Sequence, residues 1–241
     1  IPKGGMESSS DGHKLAKTAS GLRMIPVSDM YASPFALSEP QWVSDKDCNA
    51  CESCKKSFDF FNRRHHCRRC GLCFCDNCTH YVLPLKRMYF MDPVRHCYDC
   101  AVISKAETEF YEKSIPALTQ GTLMSVSEPI ANSSESFGEF DCKLSKDHRI
   151  LKLVHTKKSK ADANPPKIIL SKLLEIKFII TDSGDAGTQK TPAGFKITYK
   201  DEEDSAITHS LILRAVEPKS SLPWLSSFQK AIKMLFEARN V

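Results

Sequence analysis

Hydrophobic and polar positions change their period several times along the chain. Residues 1–41, rich in Ser, Gly, Met and Pro, sustain neither a helical nor a strand repeat and are expected to be mostly disordered. Between 42 and 100, cysteines rather than aliphatic side chains set the rhythm. From Tyr98 to about Ile115, Val102, Ala106, Phe110 and Lys113 recur at helical spacing among good helix formers, which predicts a helix that leaves the last cysteine pair and stops before Pro116. Beyond Gln120 the repeat shortens to two, as in Phe195, Ile197 and Tyr199. Seven runs there read as strands: "GTLMSVS", "FGEFDCKLS", "HRILKLVHT", "KIIL", "LLEIKFIIT", "GFKITYK" and "HSLILRAV". In "LPWLSSFQKAIKMLFEARN" the helical repeat returns. Trp224, Leu225, Phe228, Ile232, Leu235 and Phe236 mark one apolar face, and Lys and Arg gather in the second half, as the helix dipole favours.

These elements predict an α+β multidomain chain: a mostly disordered segment at 1–41, a cysteine-rich module at 42–104, a connecting helix at 105–119 and a β-rich domain at 120–241. Seven strands followed by one long helix resemble, in layout, the pleckstrin-homology-like domains. That resemblance implies a bent, seven-stranded β-barrel-like sheet with the C-terminal helix closing one open end. Members that read phosphoinositides carry basic residues in the loop joining their first two strands. Here that loop, "SEPIANSSESFGE", holds Glu128, Glu135 and Glu139 and no Lys or Arg, so a second specific lipid site is not expected there. Lys157, Lys158 and Lys160 are read as a solvated turn.

At 241 residues the chain has room for two small domains, and its net charge of +5 is too mild for generic nucleic-acid binding without a concentrated patch. No apolar run approaches the roughly 18 residues of a membrane span, and the start lacks a secretory signal pattern, so a cytosolic chain is expected. Ile1 is not a start methionine, which leaves room for residues upstream. Ten of the eleven cysteines fall between Cys48 and Cys100. A segment of that size usually needs staples to fold, and in a reducing compartment Cys-x-x-Cys pairs read as metal sites rather than disulfides.

Four such pairs stand at Cys51 and Cys54, Cys67 and Cys70, Cys75 and Cys78, and Cys97 and Cys100. Two pairs complete one closed tetrahedral site, so four imply two Zn2+ ions with no open catalytic position. Sequential and interleaved sharing of the ions are both sterically conceivable. Cys48, Cys73 and Cys142 are surplus. Cys48 could replace Cys51, but counting back to Trp42 favours Cys51, and Cys73 and Cys142 read as small packing residues.

The concentrated patch is "NRRHHCRRCG" at 62–71, cationic and titratable side chains set directly against a Cys-x-x-Cys pair. Together with "WVSD" at 42–45 and "RHC" at 95–97, "RRHHCR" at 63–68 resembles the three signature motifs of the FYVE zinc finger, a reader of phosphatidylinositol 3-phosphate on endosomal membranes. The family's third motif is usually Arg-Val-Cys; His96 occupies its variable middle position. The resemblance implies interleaved zinc: Cys51, Cys54, Cys75 and Cys78 on one ion, and Cys67, Cys70, Cys97 and Cys100 on the other. It also implies a headgroup set of Asp45, Arg63, Arg64, His65, His66, Arg68 and Arg95, and insertion of Phe60 and Phe61 from a turret loop into the bilayer.

The chemistry of the residues agrees. In an extended strand Arg64, His66 and Arg68 share one face and Arg63, His65 and Cys67 the other, so a zinc-held Cys67 locks the register. Arginine forks suit a phosphate, whereas Asp45 accepts from free inositol hydroxyls and repels further phosphates. The two histidines donate from both ring nitrogens only when protonated, so lipid affinity is expected to decline as pH rises past their titration. Trp42 is assigned to packing, Phe58 to the core, and Arg69 to the solvated surface.

A RING-type ubiquitin ligase also interleaves zinc, but it normally needs a histidine ligand and has no use for this basic run. A nucleic-acid-binding finger would leave Asp45 and the Phe pair without purpose, so nucleic acid is not expected as a partner. No nucleophile constellation points to catalysis. A FYVE finger followed by a pleckstrin-homology-like domain in so short a chain, with "SGLRM" at 20–24, "SPF" at 33–35, "EPQWV" at 39–43, "HHCRRCG" at 65–71 and "DPVR" at 92–95, resembles one group of FYVE adaptors. That resemblance implies a regulator of focal-adhesion turnover and cell migration that works from endosomes with adhesion-kinase or trafficking partners.

Overall fold

A computed structural model describes residues 12–18, 20–129, 136–159, 165, 167–182 and 190–239, apart from the side chains at 182 and 190. The chain divides into two compact units, 1–109 and 110–240. The first opens with a hairpin, β1 (His13–Thr18) against β2 (Gly21–Pro26), in register from His13 opposite Pro26 to Thr18 opposite Gly21. The hairpin and the segment after it are tied to residues 87–91: Met24 N–H donates to Tyr89 O at 2.9 Å, Met91 N–H to Leu22 O at 3.0 Å, and, beyond the hairpin, Leu37 N–H to Arg87 O at 2.8 Å. Arg23, nearly buried, donates through Nε to Met88 O at 2.9 Å and pairs with Glu39, while Phe35 is wholly buried.

The expectation of a mostly disordered segment at 1–41 is therefore corrected for its described part, residues 12–18 and 20–41; residues 1–11 lie outside the described residues. Composition weighs only the apolar surface that a segment can bury against itself. This one borrows a core from the residues it docks on, and its backbone polar groups find partners there.

The cysteine-rich part is built from short pieces: β3 (His65–His66) with β4 (Cys73–Phe74), α1 (Asp76–Thr79), β5 (Tyr81–Leu83) with β6 (Val94–His96), and α2 (Tyr98–Glu109). Cysteines make up most of its core, around Phe74 and with Phe58 packed against it, as expected for Phe58. Glu107 of α2 is held by both Arg69 Nη1 and Arg87 Nη1 at 2.5 Å, and a second Arg69 bond at 2.8 Å makes that pair bidentate. Arg69, expected on the surface, thus turns inward.

The second unit starts with a π-helical turn (Phe110–Ser114) and α3 (Ile115–Gln120). Contrary to expectation, helix does not stop before Pro116. The proline sits in the first turn of α3, where its missing N–H would have had no intrahelical acceptor. All seven predicted strands are present: β7 (Thr122–Ser127), β8 (Ser136–Leu144), β9 (Ile150–Ser159), β10 (Ile168–Ile169), β11 (Leu173–Asp182), β12 (Lys190–Lys200) and β13 (Thr208–Ala215). They form one antiparallel sheet in the order β10-β9-β8-β7-β13-β12-β11. The inward alternation is clear in Phe140, Cys142 and Leu144 and in Phe195, Ile197 and Tyr199, all buried.

The long terminal helix α4 (Pro218–Arg239) lays Trp224, Leu225, Phe228, Ile232 and Leu235 on this sheet. Phe228 meets Phe195 at 4.6 Å between ring centroids, and burying each such ring contributes up to about 3 kcal/mol. Arg239 fastens the far end by donating to the carbonyls of Leu170, Ser171 and Leu173. The seven-stranded sheet with its terminal helix has the pleckstrin-homology-like arrangement. Lys157 and Lys158 lie on β9 rather than in a turn, and Lys158 reaches Glu139 at 3.3 Å. Lys160 and Glu135 lie outside the described residues.

Candidate functional site

Two groups of four thiols converge in the first unit. Cys51, Cys54, Cys75 and Cys78 form one, Cys67, Cys70, Cys97 and Cys100 the other, with the sulfurs of each group within 4.8 Å of one another. First pair joins third and second joins fourth, so the sharing is interleaved. A tetrahedral ion with sulfurs at 2.3 Å separates them by about 3.8 Å. Cys54 Sγ and Cys75 Sγ stand 3.8 Å apart.

The thiols cannot all ionise unaided. Burial alone would raise Cys51, but the backbone amides of Cys75, Cys54 and Ser53 bring it down to about 6. Burial pushes Cys75 up to about 12, with the Cys78 thiol adding to it. A dication supplies the charge that four crowded thiolates need, and the two centres fit two Zn2+ ions. Four protein ligands each close these sites to catalysis and make them struts.

The basic strand hangs between the struts. β3 leads directly into Cys67, and β6 runs into Cys97, ligands of the same ion. Arg68 N–H donates to Arg95 O at 2.9 Å, which brings the two signature segments side by side. His65 lies beside Arg95 and 3.8 Å from Asp76; burial first, and then the Arg95 charge, hold its pKa below the usual value. Arg95 in turn pairs with Asp76 at 2.5 Å.

On the other side of β3, His66 Nε2 donates to Val43 O at 2.8 Å and lies 3.9 Å from Asp45 Oδ1. The Trp42 ring packs on His66 at 4.9 Å and lies under the Arg68 guanidinium at 5.7 Å, which suits the packing role expected of it. Arg64 donates to Cys48 O at 2.8 Å and rests on Phe58, and Arg63 lies over Phe60. The seven expected headgroup residues therefore fall into two adjoining groups. His65, Arg68 and Arg95 form one, and Asp45, Arg64 and His66 the other, with Arg63 toward the loop tip.

That tip is held by Asp59, whose Oδ1 accepts from the backbone of Phe61 at 2.8 Å and Asn62 at 2.7 Å. The turn presents Phe60 and Phe61 at 78% and 93% exposure, edge to face. Three features of the site escaped sequence reasoning. Arg68 Nε donates to Ser20 O at 3.3 Å, so the N-terminal hairpin borders the basic site. Arg69 anchors the turn beside Arg68 from within. Gly71, at φ +74°, accepts Val43 N–H at 3.1 Å, and a Cβ there would lie 2.6 Å from Gln41 O. Only the last had a sequence signal, a glycine after a ligand pair. Cys142 is buried under the sheet as expected, and its thiol is raised by burial.

Comparison with known proteins agrees with the two-unit division. The FYVE zinc finger matches residues 41–106, and the C-terminus of zinc finger FYVE domain-containing protein 21 matches residues 109–240. Arrestin domain-containing protein A of Dictyostelium discoideum is 36% identical over 73 residues, which are 30% of this chain and 13% of that protein. The chain thus spans a small part of that relative. Among solved structures, the FYVE domain LM5-1 of Leishmania major is 32% identical over 29% of this chain and 82% of its own, with a TM-score of 0.27. The tandem VHS and FYVE domains of HRS, described as involved in membrane trafficking and signal transduction, are 35% identical over 28% of this chain and 30% of theirs, with a TM-score of 0.26. The PH domain from TgAPH is 16% identical over 55% of this chain and 98% of its own, with a TM-score of 0.32. With a FYVE finger in front and the C-terminal match covering more than half of its 241 residues, the chain belongs to the family of zinc finger FYVE domain-containing protein 21.

Proposed function

We propose that this protein is a non-enzymatic adaptor that attaches peripherally to endosomal membranes by gripping phosphatidylinositol 3-phosphate. The observation that carries the reading is the 2.9 Å bond from Arg68 N–H to Arg95 O, because it sets two guanidinium-bearing segments side by side, each next to a zinc ligand. Arg68, Arg95 and His65 are the residues that would hold the 3-phosphate, with Arg63 and Arg64 adding charge. Asp45 and His66 would take the free inositol hydroxyls. Preorganised arginines bind a phosphate well because little side-chain freedom remains to be lost.

Phe60 and Phe61 would enter the bilayer, and full burial of both rings is worth about 3–6 kcal/mol. No helix among the described residues is long and apolar enough to cross a membrane. One lipid head and one shallow wedge give a reversible contact, which a second signal or second copy would reinforce.

The test is a sedimentation series with the whole chain on vesicles carrying different phosphoinositides. Arg68→Ala is expected to abolish preference for the 3-phosphate. The double change Phe60→Ala with Phe61→Ala is expected to weaken attachment while preserving preference. Unselective binding by the wild type would overturn the reading. Family membership extends the proposal to regulation of focal-adhesion turnover and cell migration, through adhesion-kinase or trafficking partners. In that case Arg68→Ala should fail to restore migration in cells lacking the protein.

A further inference from the structure

Apart from the eight cysteines of the two centres, Asp45, His66 and Cys73 bring a carboxylate oxygen, an imidazole nitrogen and a sulfur within 4.8 Å of one another. The fold builds this group from two directions. His66 on β3 stands directly opposite Cys73 on β4, and Asp45 arrives on the segment that the bond from Val43 to Gly71 docks beside them. Cys73 Sγ lies 3.1 Å from His66 Nε2, and Nε2 lies 3.9 Å from Asp45 Oδ1. Ordinary zinc bonds in a tetrahedral site separate sulfur from nitrogen, and nitrogen from oxygen, by about 3.5 Å. The two observed distances bracket that value, so shifts of under an ångström would suit an ion.

One sulfur, one nitrogen and one carboxylate favour zinc over calcium or magnesium, which take oxygens. Burial is graded across the group: Cys73 is 1% exposed and the His66 side chain 17%, whereas the Asp45 side chain is 70% exposed. Three protein ligands with one open side describe a site that an ion can enter and leave. Neither four-cysteine centre uses Cys73, and the headgroup reading does not need it.

We propose that Asp45, His66 and Cys73 form a third, exchangeable zinc site, and that its ion competes with the lipid headgroup. The competition rests on the function proposed above, since Asp45 and His66 belong to its headgroup set. The ion binds more weakly here than in the four-cysteine centres for two reasons. The site supplies one sulfur rather than four, and zinc must replace the 2.8 Å bond from His66 Nε2–H to Val43 O. Zinc would then act on this finger at two levels, permanently as strut and reversibly as a plug.

The full chain, carrying its two tightly held ions, is equilibrated with buffered free zinc, and bound metal is counted by mass spectrometry. The wild type is expected to take up a third equivalent. Cys73→Val, which keeps a buried apolar side chain, is expected to hold two and no third, and the two retained ions report an intact finger. Equal stoichiometry in wild type and variant overturns the site. On vesicles with phosphatidylinositol 3-phosphate, free zinc at ten times the site's dissociation constant is expected to weaken wild-type binding about elevenfold and leave Cys73→Val unchanged. Zinc-insensitive binding by a wild type that holds three ions overturns the competition. Failure of the wild type to bind vesicles before zinc is added overturns the lipid reading instead, and the metal count still decides the site.

Discussion

Removing the Glu107 carboxylate is the sharpest test of how the finger is held together. Glu107 is the shared anion for Arg69 and Arg87, and the three side chains are 11%, 13% and 2% exposed. Breaking a buried ion pair by deleting one partner costs about 3–5 kcal/mol, because the surviving charge stays out of water without compensation. In Glu107→Ala two guanidinium groups lose their shared anion at once. Arg87 keeps its bond from Nε to Phe35 O at 2.8 Å, whereas Arg69 is left with a long 3.4 Å contact to Ser104 Oγ. The same range of about 3–5 kcal/mol is therefore expected, carried mainly by Arg69.

For a domain of this size each kcal/mol lowers the melting temperature by about 4–8 °C, so a drop of at least about 12 °C follows. The assay is thermal release of zinc from the full chain to a chromogenic chelator, because Arg69 adjoins the ligand Cys70. Adding Arg69→Met to Glu107→Ala is expected to recover part of the loss, since one stranded charge is gone. A drop below about 3 °C for the single variant, or strictly additive losses in the pair, would refute a desolvated cluster.

Gly71→Ala is expected to destabilise the finger by about 1–2 kcal/mol from its positive φ alone, and by more because its Cβ would meet Gln41 O at 2.6 Å; urea unfolding with both ions bound measures it. Chelating both ions should erase amide protection in the first unit while protection of the sheet in the second persists, because each unit has its own core; simultaneous loss in hydrogen exchange would contradict this. Asp147 supplies a pH dependence. Burial would raise its carboxyl, but the Ser145 hydroxyl and Arg149 bring it down to about 2. A depressed carboxyl stabilises above its unfolded pKa near 4, and that stabilisation is lost as pH falls through about 2. With the side chain 43% exposed, screening limits the effect, so Asp147→Asn should cost about 1 kcal/mol at neutral pH, a small part of that at about pH 2 and nothing well below it in melting experiments.

Local chemistry is written in the sequence, and long-range chemistry much less so. The seven strands announced themselves through period-two alternation because the sheet buries one face, as in Phe195, Ile197 and Tyr199. The zinc centres were legible because each ligand pair is contiguous, although only family resemblance could imply which pairs share an ion. The order of residues 12–18 and 20–41 left no such signal in the sequence. Their order depends on the backbone of residues 87–91 and on a Glu39 that neutralises Arg23, neither of which leaves a periodic trace. Arg69 failed likewise, since its partner Glu107 lies thirty-eight positions away.

These long-range contacts also bear on how the basic site acquires its shape. Arg63, Arg64, Arg68 and Arg95 carry like charges that would repel one another in a free loop, so some agency has to hold them before a ligand arrives. Zinc fixes the strand through Cys67, but an ion one residue away cannot orient a long guanidinium. Three flanking contacts do that for Arg68: the Ser20 carbonyl at 3.3 Å, the His66 carbonyl at 2.8 Å and the face of Trp42. Arg64 is likewise held by the Cys48 carbonyl, and Arg95 by Asp76. Each anchor uses some of the guanidinium's five donors, and the others are those that the proposed phosphate contact would use. A finger cut at residue 42 would retain all eight zinc ligands and every signature motif. It would lose the Ser20 anchor and the hairpin bordering the site, so its arginines would bind a phosphate with more freedom left to lose.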